Sequence, residues 1–480
     1  MTDKTSVIFG NKIDQKIIKK ANHSKKKFTK KFGDDSKNTY HLAAEDNQTL
    51  SPIGVSNLVR SSKPVLLDEK AVIVGNIRMG FGHYRIAIAI ASCANAMGYK
   101  PYWFDLNSFS DTTGGKLIKH QNDMYSFGSR LSQKSKLFNH FIWEPMNSES
   151  FRKISYNAID QKNAELFVPM FTDLPKHVPF IGTHVWPTQG AIHSGLTNVV
   201  NVIPDNWPMG LHLAEGSIHA VQTPFAYLGY KTLRGMSKKP LKGMPEDSLF
   251  ETGYYIDHEL VENIERDTQA RLKRIKSNKP LRILLPVGGA GAGLQIFKGM
   301  ISFLLPYIKN NKVQLVINFG DHLNVFESLK KEIPEFDTLT EKVFDDYEQV
   351  KKMSSNMDSM TLGIYAIYHK DIFEAVYSTN LLMRSMDVLA TKPSELSFYP
   401  IPKFFIKRVG GHEAYGAIHS SEMGDGTFEC DTIEDIEKML VTFLMQKEIL
   451  TSMNQHVLRL HETKRYHGGY KAVELAVQPK

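Results

Sequence analysis

A histidine that follows two closely spaced glycines, in Gly80-Phe-Gly82-His83, is the first group in the chain whose setting suits chemistry. The apolar stretch before it, from Ala71, predicts a buried strand, and the long apolar stretch after it predicts a helix. Such a turn presents backbone N–H groups at the helix N-terminus, and Gly80 and Gly82 let a ligand approach the backbone. The positive helix end disfavours an imidazolium, so His83 is predicted to act as a base near neutral pH. A plain strand-to-helix turn with an exposed histidine is the alternative.

Two common phosphate-binding motifs do not fit this turn. A P-loop requires Gly-Lys-Ser/Thr at its end, but Phe81-Gly82-His83 follows Gly80 here. A dinucleotide-binding fingerprint requires a small residue at the position that Arg85 occupies. What remains is a Gly-x-Gly-His turn that opens a helix.

A second predicted strand-to-helix junction is richer in glycine. Arg282-Ile-Leu-Leu-Pro-Val predicts a strand, and Gly288-Gly289-Ala-Gly291-Ala-Gly293 leads from it into a helix that begins near Leu294. Four glycines in six positions allow backbone N–H groups to surround a phosphate at the helix N-terminus. We therefore predict that Gly288, Gly289 and Gly291 hold a phosphate group.

Polar residues also follow other predicted strands of the N-terminal half. The segments Pro179-Phe-Ile-Gly-Thr and Asn198-Val-Val-Asn-Val-Ile predict strands, and His184 and Asp205 come just after them. Because α/β folds bind ligands at the carboxyl ends of parallel strands, both residues are site candidates. A turn residue or a helix cap is the alternative for each. A further strand is predicted at Leu166-Phe-Val-Pro.

The alternation of predicted strands and helices occurs twice, with a glycine turn early in each half. This pattern is typical of doubly wound parallel sheets. The predicted fold class is α/β, with two Rossmann-like domains facing a cleft, which is the glycosyltransferase B (GT-B) architecture. The N-terminal domain is placed at residues 67–278 and the C-terminal domain at 279–452. A C-terminal helix at 453–480 is expected to pack back on the N-terminal domain.

The net positive charge of the chain is confined to its N-terminus. Residues 1–31 contain ten lysines and two acidic residues, whereas bases and acids balance over residues 32–480. A basic arm and tether is therefore predicted at 1–66. Its interleaved Ile17, Ile18 and Phe28 are typical of an amphipathic segment on an anionic membrane surface, and a disordered solubilising tail is the alternative. The charge balance elsewhere argues against a nucleic-acid partner.

The hydropathy of the chain and its cysteine content indicate where in the cell the protein is expected. No apolar run reaches the ~18 residues of a membrane span, and the N-terminus lacks the apolar core of a signal peptide. Cys93 and Cys430 are the only cysteines, which is too few for a disulfide framework or a cysteine zinc site. A cytoplasmic protein, peripherally associated with a membrane, is expected.

Five short motifs, taken in order over residues 70–420, resemble those of two related glycosyltransferases. These are the monogalactosyldiacylglycerol synthases and the undecaprenyl-linked N-acetylglucosaminyltransferase of peptidoglycan synthesis. The matching segments are Gly80-Phe-Gly82-His83, Thr252-Gly253-Tyr254, Gly288-Gly289-Ala-Gly291-Ala-Gly293, Asp387-Val-Leu-Ala-Thr-Lys392-Pro393-Ser394-Glu395 and Gly411-His412-Glu413. In this chain the run of glycines after Pro393 is missing, and Glu395 comes several residues early.

The resemblance implies transfer of a hexose from a UDP-sugar to an acceptor hydroxyl, with inversion at the anomeric carbon. Diacylglycerol is one acceptor that it suggests. This chemistry needs a base on the acceptor hydroxyl and positive groups around the leaving diphosphate. His83 is the first candidate for the base and Asp205 the second. Gly80, Gly82 and His184 are expected on the acceptor side.

On the donor side, the resemblance places the diphosphate at the Gly288–Gly291 loop. Lys392, Pro393 and Ser394 would lie beside the phosphates, and Glu395 would bind the ribose. The hexose would contact His412 and Glu413. The nucleotide sugar is then a co-substrate. No Asp-x-Asp motif occurs in the chain, so neither a required metal nor a further cofactor is expected.

Two other hypotheses remain open at this point. A nucleotide-sugar 2-epimerase of the same architecture needs no lipid contact. A catalytically silent protein that binds sugar nucleotides or a membrane surface is favoured by the altered Lys392-to-Glu395 segment.

Overall fold

The computed structural model describes residues 4–138, 142, 143, 145, 149–289, 291 and 293–478. The chain divides into two compact units. Unit 1 comprises Met1–Met79, Ile86–Asp257 and His467–Lys480, and unit 2 comprises Gly80–Arg85 and His258–Tyr466. The predicted α/β class with two sheet-containing units is confirmed.

The strands within the described residues fall into one small hairpin and two large sheets. They are β1 (Val7–Ile8), β2 (Asn11–Lys12), β3 (His41–Asp46), β4 (Ser56–Ser61), β5 (Ala71–Asn76), β6 (Lys100–Asp105), β7 (Phe180–Gly182), β8 (Val199–Val202), β9 (Ile218–Val221), β10 (Leu249–Glu251), β11 (Leu281–Pro286), β12 (Val313–Asn318), β13 (Thr340–Phe344), β14 (Ile364–Tyr368), β15 (Val388–Thr391) and β16 (Lys403–Phe405).

The α-helices alternate with the strands through most of both units. They are α1 (Gln15–Phe32), α2 (Gly82–Ala96), α3 (Thr113–Lys134), α4 (Lys136–Phe138), α5 (Ile154–Ala164), α6 (Val185–His193), α7 (Pro224–Lys231), α8 (His258–Lys276), α9 (Leu294–Lys309), α10 (Leu323–Glu332), α11 (Tyr347–Asn356), α12 (Ile372–Met383), α13 (Ala414–Met423), α14 (Ile433–Met445), α15 (Lys447–Glu462) and α16 (Gly468–Val477).

The sheet of unit 1 has the order β10-β9-β8-β7-β5-β6-β4-β3. Its strands pair in parallel, except that β3 and β4 are antiparallel. Ile73 of β5 lies opposite Tyr102 of β6 and Phe180 of β7, and these side chains share one core cluster. Val72 and Val74, which point to the other face, are equally buried. Both faces of this part of the sheet are therefore covered, as in parallel sheets generally.

The sheet of unit 2 is parallel throughout, in the order β13-β14-β12-β11-β15-β16. Ile283 and Leu285 of β11 point into a core that also contains residues of α9, α10, α14 and α15. On the other face, the Asn318 amide donates to the Ala375 carbonyl and the Thr379 hydroxyl of α12, at 2.8 Å each. Helices thus cover both faces, and the carboxyl ends of β11 and β15 bring the predicted donor-binding segments to one edge.

The basic N-terminal segment differs from the predicted arm, because it is packed against unit 1 as helix α1. Ile13 and Ala21 are buried, and Ile17 and Ile18 pack against a core cluster that includes Ile154 of α5. Lys25 forms an ion pair with Glu165, with 2.6 Å between Nζ and Oε2. The apolar face that predicts a membrane contact is therefore turned toward the protein.

Two further segments differ from the sequence-based expectation. The predicted tether contains β3 and β4, which form the antiparallel edge of the sheet, with Asp173 accepting backbone bonds from Leu42 and Val65. The predicted strand at Leu166-Phe-Val-Pro was wrong, because Val168–Phe171 is a 3₁₀ helix with a proline in its first turn. A proline fixes a helical φ and removes a ladder donor, so it favours the helical start over a central strand.

The division between the units lies at Asp257 and His258, so α8 belongs to unit 2 rather than to the first domain. Arg271 of α8 is buried and donates to the Met386 carbonyl at 2.9 Å and the Met383 carbonyl at 3.1 Å. A buried guanidinium needs such acceptors, so α8 is held to unit 2. Within the predicted segment at 453–480, α16 lies in unit 1 and α15 lies in unit 2.

A buried carboxyl in unit 1 makes the stability of the protein depend on pH. Burial raises the pKa of Asp160 to about 7, although Trp186 donates to it at 3.5 Å. Between about pH 4 and pH 7 the folded state thus binds more protons than the unfolded state, so the free energy of unfolding falls as the pH rises. We expect Asp160→Asn to raise Tm at pH 8 and to leave it nearly unchanged at pH 5, measured by differential scanning fluorimetry.

Asp173 offers a matched control, because its pKa is shifted in the opposite direction from that of Asp160. Burial raises its pKa, but the bonds from Leu42, Val65 and His41 outweigh burial and lower the pKa below its usual value. Its stabilising contribution is present above pH 4, so Asp173→Asn should lower Tm at both pH values. An equal loss of Tm at pH 5 and pH 8 in Asp160→Asn would contradict the assignment.

Candidate functional site in unit 2

The two glycine turns predicted from the sequence lie against each other. Gly80 and Gly82 belong to the Gly80–Arg85 segment of unit 2, and a Cβ placed on Gly289 would lie 2.6 Å from Gly80 Cα and Phe81 N. Real side chains do not approach backbone atoms so closely, so only glycine fits at position 289 without a shift of the backbone. The close packing of the two turns therefore explains why residue 289 is a glycine, without any need for a ligand there.

The Arg85 side chain fixes the Gly80–Arg85 segment through buried polar contacts. Only 2% of it is exposed. Its Nε donates to Glu395 Oε1 at 3.3 Å, and its Nη1 donates to the Val376 carbonyl at 3.2 Å and to the Asn380 side chain. The predicted ribose-binding Glu395 is thus held by an arginine at the start of α2.

Glycine at position 82 leaves room for this carboxylate. A Cβ there would lie 2.9 Å from Glu395 Oε2. One oxygen of Glu395 is therefore engaged by Arg85, and the other lies at the start of α2. The structure brings Gly80, Gly82 and Glu395 together, although the sequence analysis assigns the glycines to the acceptor side and Glu395 to the donor side.

Lys392 lies beside the second glycine turn and is paired with Glu413. A Cβ on Gly288 would lie 3.2 Å from Lys392 Cε. The Lys392 ammonium donates to Glu413 Oε1 at 2.7 Å, and Glu413 Oε2 accepts from the Val409 and Gly410 N–H groups at 2.7 and 3.2 Å. Burial raises the pKa of Glu413, but the charge of Lys392 and these bonds outweigh burial and lower the pKa below its usual value. Glu413 is therefore a buried anion that is paired with Lys392.

The N-terminus of α9 is the third part of the site. Gly293 occupies the N-cap position with φ 102°, no side chain among the described residues caps the helix, and its first turn contains no acidic residue. The first N–H groups of a helix have no partner within the helix, and they carry a partial positive charge. Gly291 lies beside His322, whose Nδ1 would be 3.3 Å from a Cβ at that position. This end of α9 is suited to an anion.

The remaining donor-side candidates lie around the same edge of the sheet. Pro393 and Ser394 follow β15, and Ser394 precedes the 3₁₀ helix that begins at Glu395. His412 lies in the short Gly411–Glu413 helix, and its buried Nδ1 has no hydrogen-bond partner among the described residues. His83 is the second residue of α2 and is partly buried.

The two other predicted site residues lie in unit 1 and have structural partners there. His184 is the N-cap of α6, and its Nδ1 accepts the Trp186 N–H at 3.1 Å, which is the alternative given for it above. Asp205 lies 3.3 Å from His212 Nε2, and His212 Nδ1 lies 2.8 Å from the Tyr230 hydroxyl. Asp205 thus begins a chain of Asp, His and Tyr side chains.

Arg85 and Asn380 were missed by sequence reasoning as residues of the site. A signal was present, since Arg85 is a charged residue at the start of a helix that is apolar nearly all round. Such a residue must find a buried acceptor, but its partner lies 310 positions along the chain and cannot be read from local pattern.

The described residues contain no group of three or more His, Cys, Asp or Glu side chains placed to hold a metal ion. None of the helices that they form is long and apolar enough to span a bilayer.

Two family models match successive parts of the chain. Residues 7–232 match a family model described as "Domain of unknown function (DUF6937)". Residues 244–477 match one described as "Domain of unknown function (DUF6938)". A search of curated proteins gives no match.

Several solved structures are similar over most of the chain. UDP-GlcNAc 2-epimerase from Neisseria meningitidis, bound to UDP-GlcNAc, is 12% identical with a TM-score of 0.43, covering 85% of this chain and 98% of that one. S. aureus MnaA with UDP is 12% identical with a TM-score of 0.45, covering 84% and 94%. An alpha,alpha-trehalose 6-phosphate synthase from Burkholderia multivorans is 10% identical with a TM-score of 0.41, covering 84% and 97%.

The packing of the two turns gives a stability prediction that needs no ligand. Gly289→Ala forces a Cβ onto backbone atoms, and overpacking of this kind costs about 1–3 kcal/mol of unfolding free energy. Gly288→Ala meets only the flexible end of Lys392 and is expected to cost much less. Chemical denaturation of both variants measures the difference, and equal stability would contradict the close approach of the turns.

Proposed function

We propose that unit 2 binds the diphosphate of a nucleotide sugar, most simply a UDP-sugar, at the N-terminus of α9. The observation that carries the proposal is the uncapped first turn of α9, with Gly293 at its N-cap and the Lys392 ammonium held beside Gly288. A diphosphate supplies the negative charge that backbone N–H groups and an ammonium together favour. Glu395 Oε2 is the proposed partner of the ribose hydroxyls.

We further propose that the chain is a hexosyltransferase. In the proposed step His83 accepts the proton of the acceptor hydroxyl. At the same time the oxygen of that hydroxyl forms a bond to the anomeric carbon of the hexose, with inversion. The bond from that carbon to the diphosphate breaks, and the nucleoside diphosphate leaves with the electron pair. The α9 N-terminus and Lys392 stabilise the charge that develops on the leaving oxygen. Asp205, the second candidate for the base in the sequence analysis, is paired with His212 in unit 1.

The proposal requires no metal, since the charge of the leaving group is met by N–H groups and by Lys392. It is compatible with an acceptor at an anionic membrane surface. All the lysines of α1 except Lys25 are exposed, whereas its apolar side chains are covered by unit 1. A contact through α1 would therefore be electrostatic, at ~1 kcal/mol for each basic residue at the surface.

A pair of variants tests the role of Lys392 at the phosphates. Lys392→Met removes the ammonium, and loss of a charge-assisted hydrogen bond of about 1.5–3 kcal/mol weakens UDP binding by roughly 10–100-fold. Glu413→Gln is the matched control, since it removes the partner of Lys392 and leaves the ammonium. UDP affinity in Glu413→Gln is expected to equal or exceed that of the wild type, by isothermal titration calorimetry with UDP, GDP and ADP.

Equal weakening in both variants would show that Lys392 and Glu413 serve only each other, and would remove Lys392 from the proposed site. Folding of each variant is checked by its thermal melt. The Lys392–Glu413 ion pair is broken in both variants. A loss of folding stability that they share therefore cannot explain a UDP affinity that falls in Lys392→Met and not in Glu413→Gln.

His83→Ala tests the chemistry separately from binding. Loss of a general base lowers kcat by roughly 10²–10⁴ with donor affinity retained. Labelled UDP-sugar incubated with a membrane extract reports transfer, free epimer or neither. Transfer that survives in His83→Ala at more than about a tenth of the wild-type kcat contradicts the role, given the ~10²-fold minimum for a base. Free epimer favours the epimerase, and binding without turnover favours the silent protein.

A further inference from the structure

Helix α1 presents a continuous basic surface. The side chains of seven of its lysines are exposed, and the helix contains no acidic residue. At 100° per residue these lysines occupy one side of the helix and the covered apolar residues the other. The exposed lysines are Lys16, Lys19, Lys20, Lys26, Lys27, Lys30 and Lys31.

Helix α3 lies against the last turns of α1. The ring of His120 contacts Phe28 and Phe32 edge-on, with centroids 6.2 and 5.7 Å apart, and its Nε2 lies 3.2 Å from Lys31 Nζ. The end of α1 and the start of α3 are also joined directly. The Thr113 N–H donates to Asp35 at 2.9 Å, and the Thr113 hydroxyl donates to the Gly33 carbonyl at 3.0 Å. The two helices are therefore fixed relative to each other.

Large apolar side chains project from α3 just beyond this contact. Met124 is 62% exposed and Phe127 is 63% exposed. They follow His120 at spacings of four and seven residues, which places all three on one face of the helix. Leu137 and Ile142, further along the chain, are also more than half exposed. Four of the exposed large apolar residues of the described chain thus lie within nineteen positions, and two of them, Met124 and Phe127, belong to the helix that contacts Lys31 of α1.

We propose that this surface, formed by the α1 lysines and by Met124 and Phe127 of α3, docks unit 1 on an anionic lipid bilayer. The lysines contact lipid headgroups, and the two apolar side chains enter the boundary between headgroups and acyl chains. The inference rests on the proposed membrane contact, but it replaces the apolar face of α1 with α3 as the part that inserts. A nucleic acid fits the lysines equally well, but of the two apolar side chains of this surface only Phe127 can stack on a base, whereas both can enter a bilayer.

The apolar and electrostatic parts of the surface are separable by experiment. Binding of the full chain to phosphatidylcholine vesicles, with and without 30% phosphatidylglycerol, is measured by co-flotation at low and high salt. The double variant Met124→Ala/Phe127→Ala is expected to bind the anionic vesicles about tenfold or more weakly, with an unchanged salt dependence. Replacing Lys27, Lys30 and Lys31 by glutamine is expected to weaken binding by about fivefold per lysine and to reduce its salt dependence.

Phe428→Ala is the matched control, because Phe428 is 65% exposed but lies in unit 2. It is expected to bind like the wild type. A second measurement uses Phe127→Trp, whose added fluorescence is expected to be quenched by brominated acyl chains, whereas that added by Phe428→Trp is not. This measurement remains informative if the alanine variant is less stable.

Three outcomes overturn the proposal. The first is that the double alanine variant floats with the vesicles like the wild type and that a tryptophan at position 127 is not quenched. The second is that substitutions at positions 127 and 428 change vesicle binding and quenching equally. The third is that RNA displaces the protein from the vesicles and that vesicle binding does not depend on Met124 and Phe127. UDP affinity is measured on the same variants and is expected to be unchanged. If the vesicle predictions fail while the protein binds UDP, only the docking surface is rejected. If the wild-type protein does not bind UDP, the proposed function is rejected.

Discussion

The buried charge of Arg85 is the constraint on which the proposed site depends. A guanidinium that is out of contact with water is tolerated only where acceptors surround it, and removing one partner of such a pair costs about 3–5 kcal/mol. Arg85 meets this requirement with Glu395, Asn380 and the Val376 carbonyl. It thereby fixes the glycine turn that carries His83 against the edge of the unit 2 sheet, where Gly289 and Lys392 lie. Arg85, which stands where the dinucleotide-binding fingerprint requires a small residue, thus holds the first glycine turn at this edge of the sheet.

The regular parts of the fold follow from local pattern. Buried strands such as β5 and β11 are short, mostly apolar runs that are followed by a glycine turn, and the helices after them are apolar on the faces that they bury. These features are set by residues a few positions apart, so periodicity and glycine are sufficient to predict them. The place of the glycine turns at strand ends was predicted for the same reason.

What the sequence did not predict depends on partners far along the chain. The lysine-rich segment has an amphipathic pattern that suits a membrane or a protein surface equally, and only the core residues around Ile154 decide between them. The polar strand β3 is recognisable only through its pairing with β4. At the site, Gly289 has the composition of a phosphate loop, but the structure gives it a packing role against Gly80. Composition alone does not separate these two reasons for a glycine.

The central claim is that the first turn of α9 and Lys392 receive a nucleotide diphosphate, and a crystal structure of the protein with UDP tests it most directly. The account predicts phosphate oxygens within about 3.2 Å of backbone N–H groups at the start of α9 and of the Lys392 ammonium. It also predicts a ribose hydroxyl on Glu395 Oε2, with the Arg85 contact retained. UDP bound with its phosphates away from α9, while that turn contacts only solvent, would contradict the account.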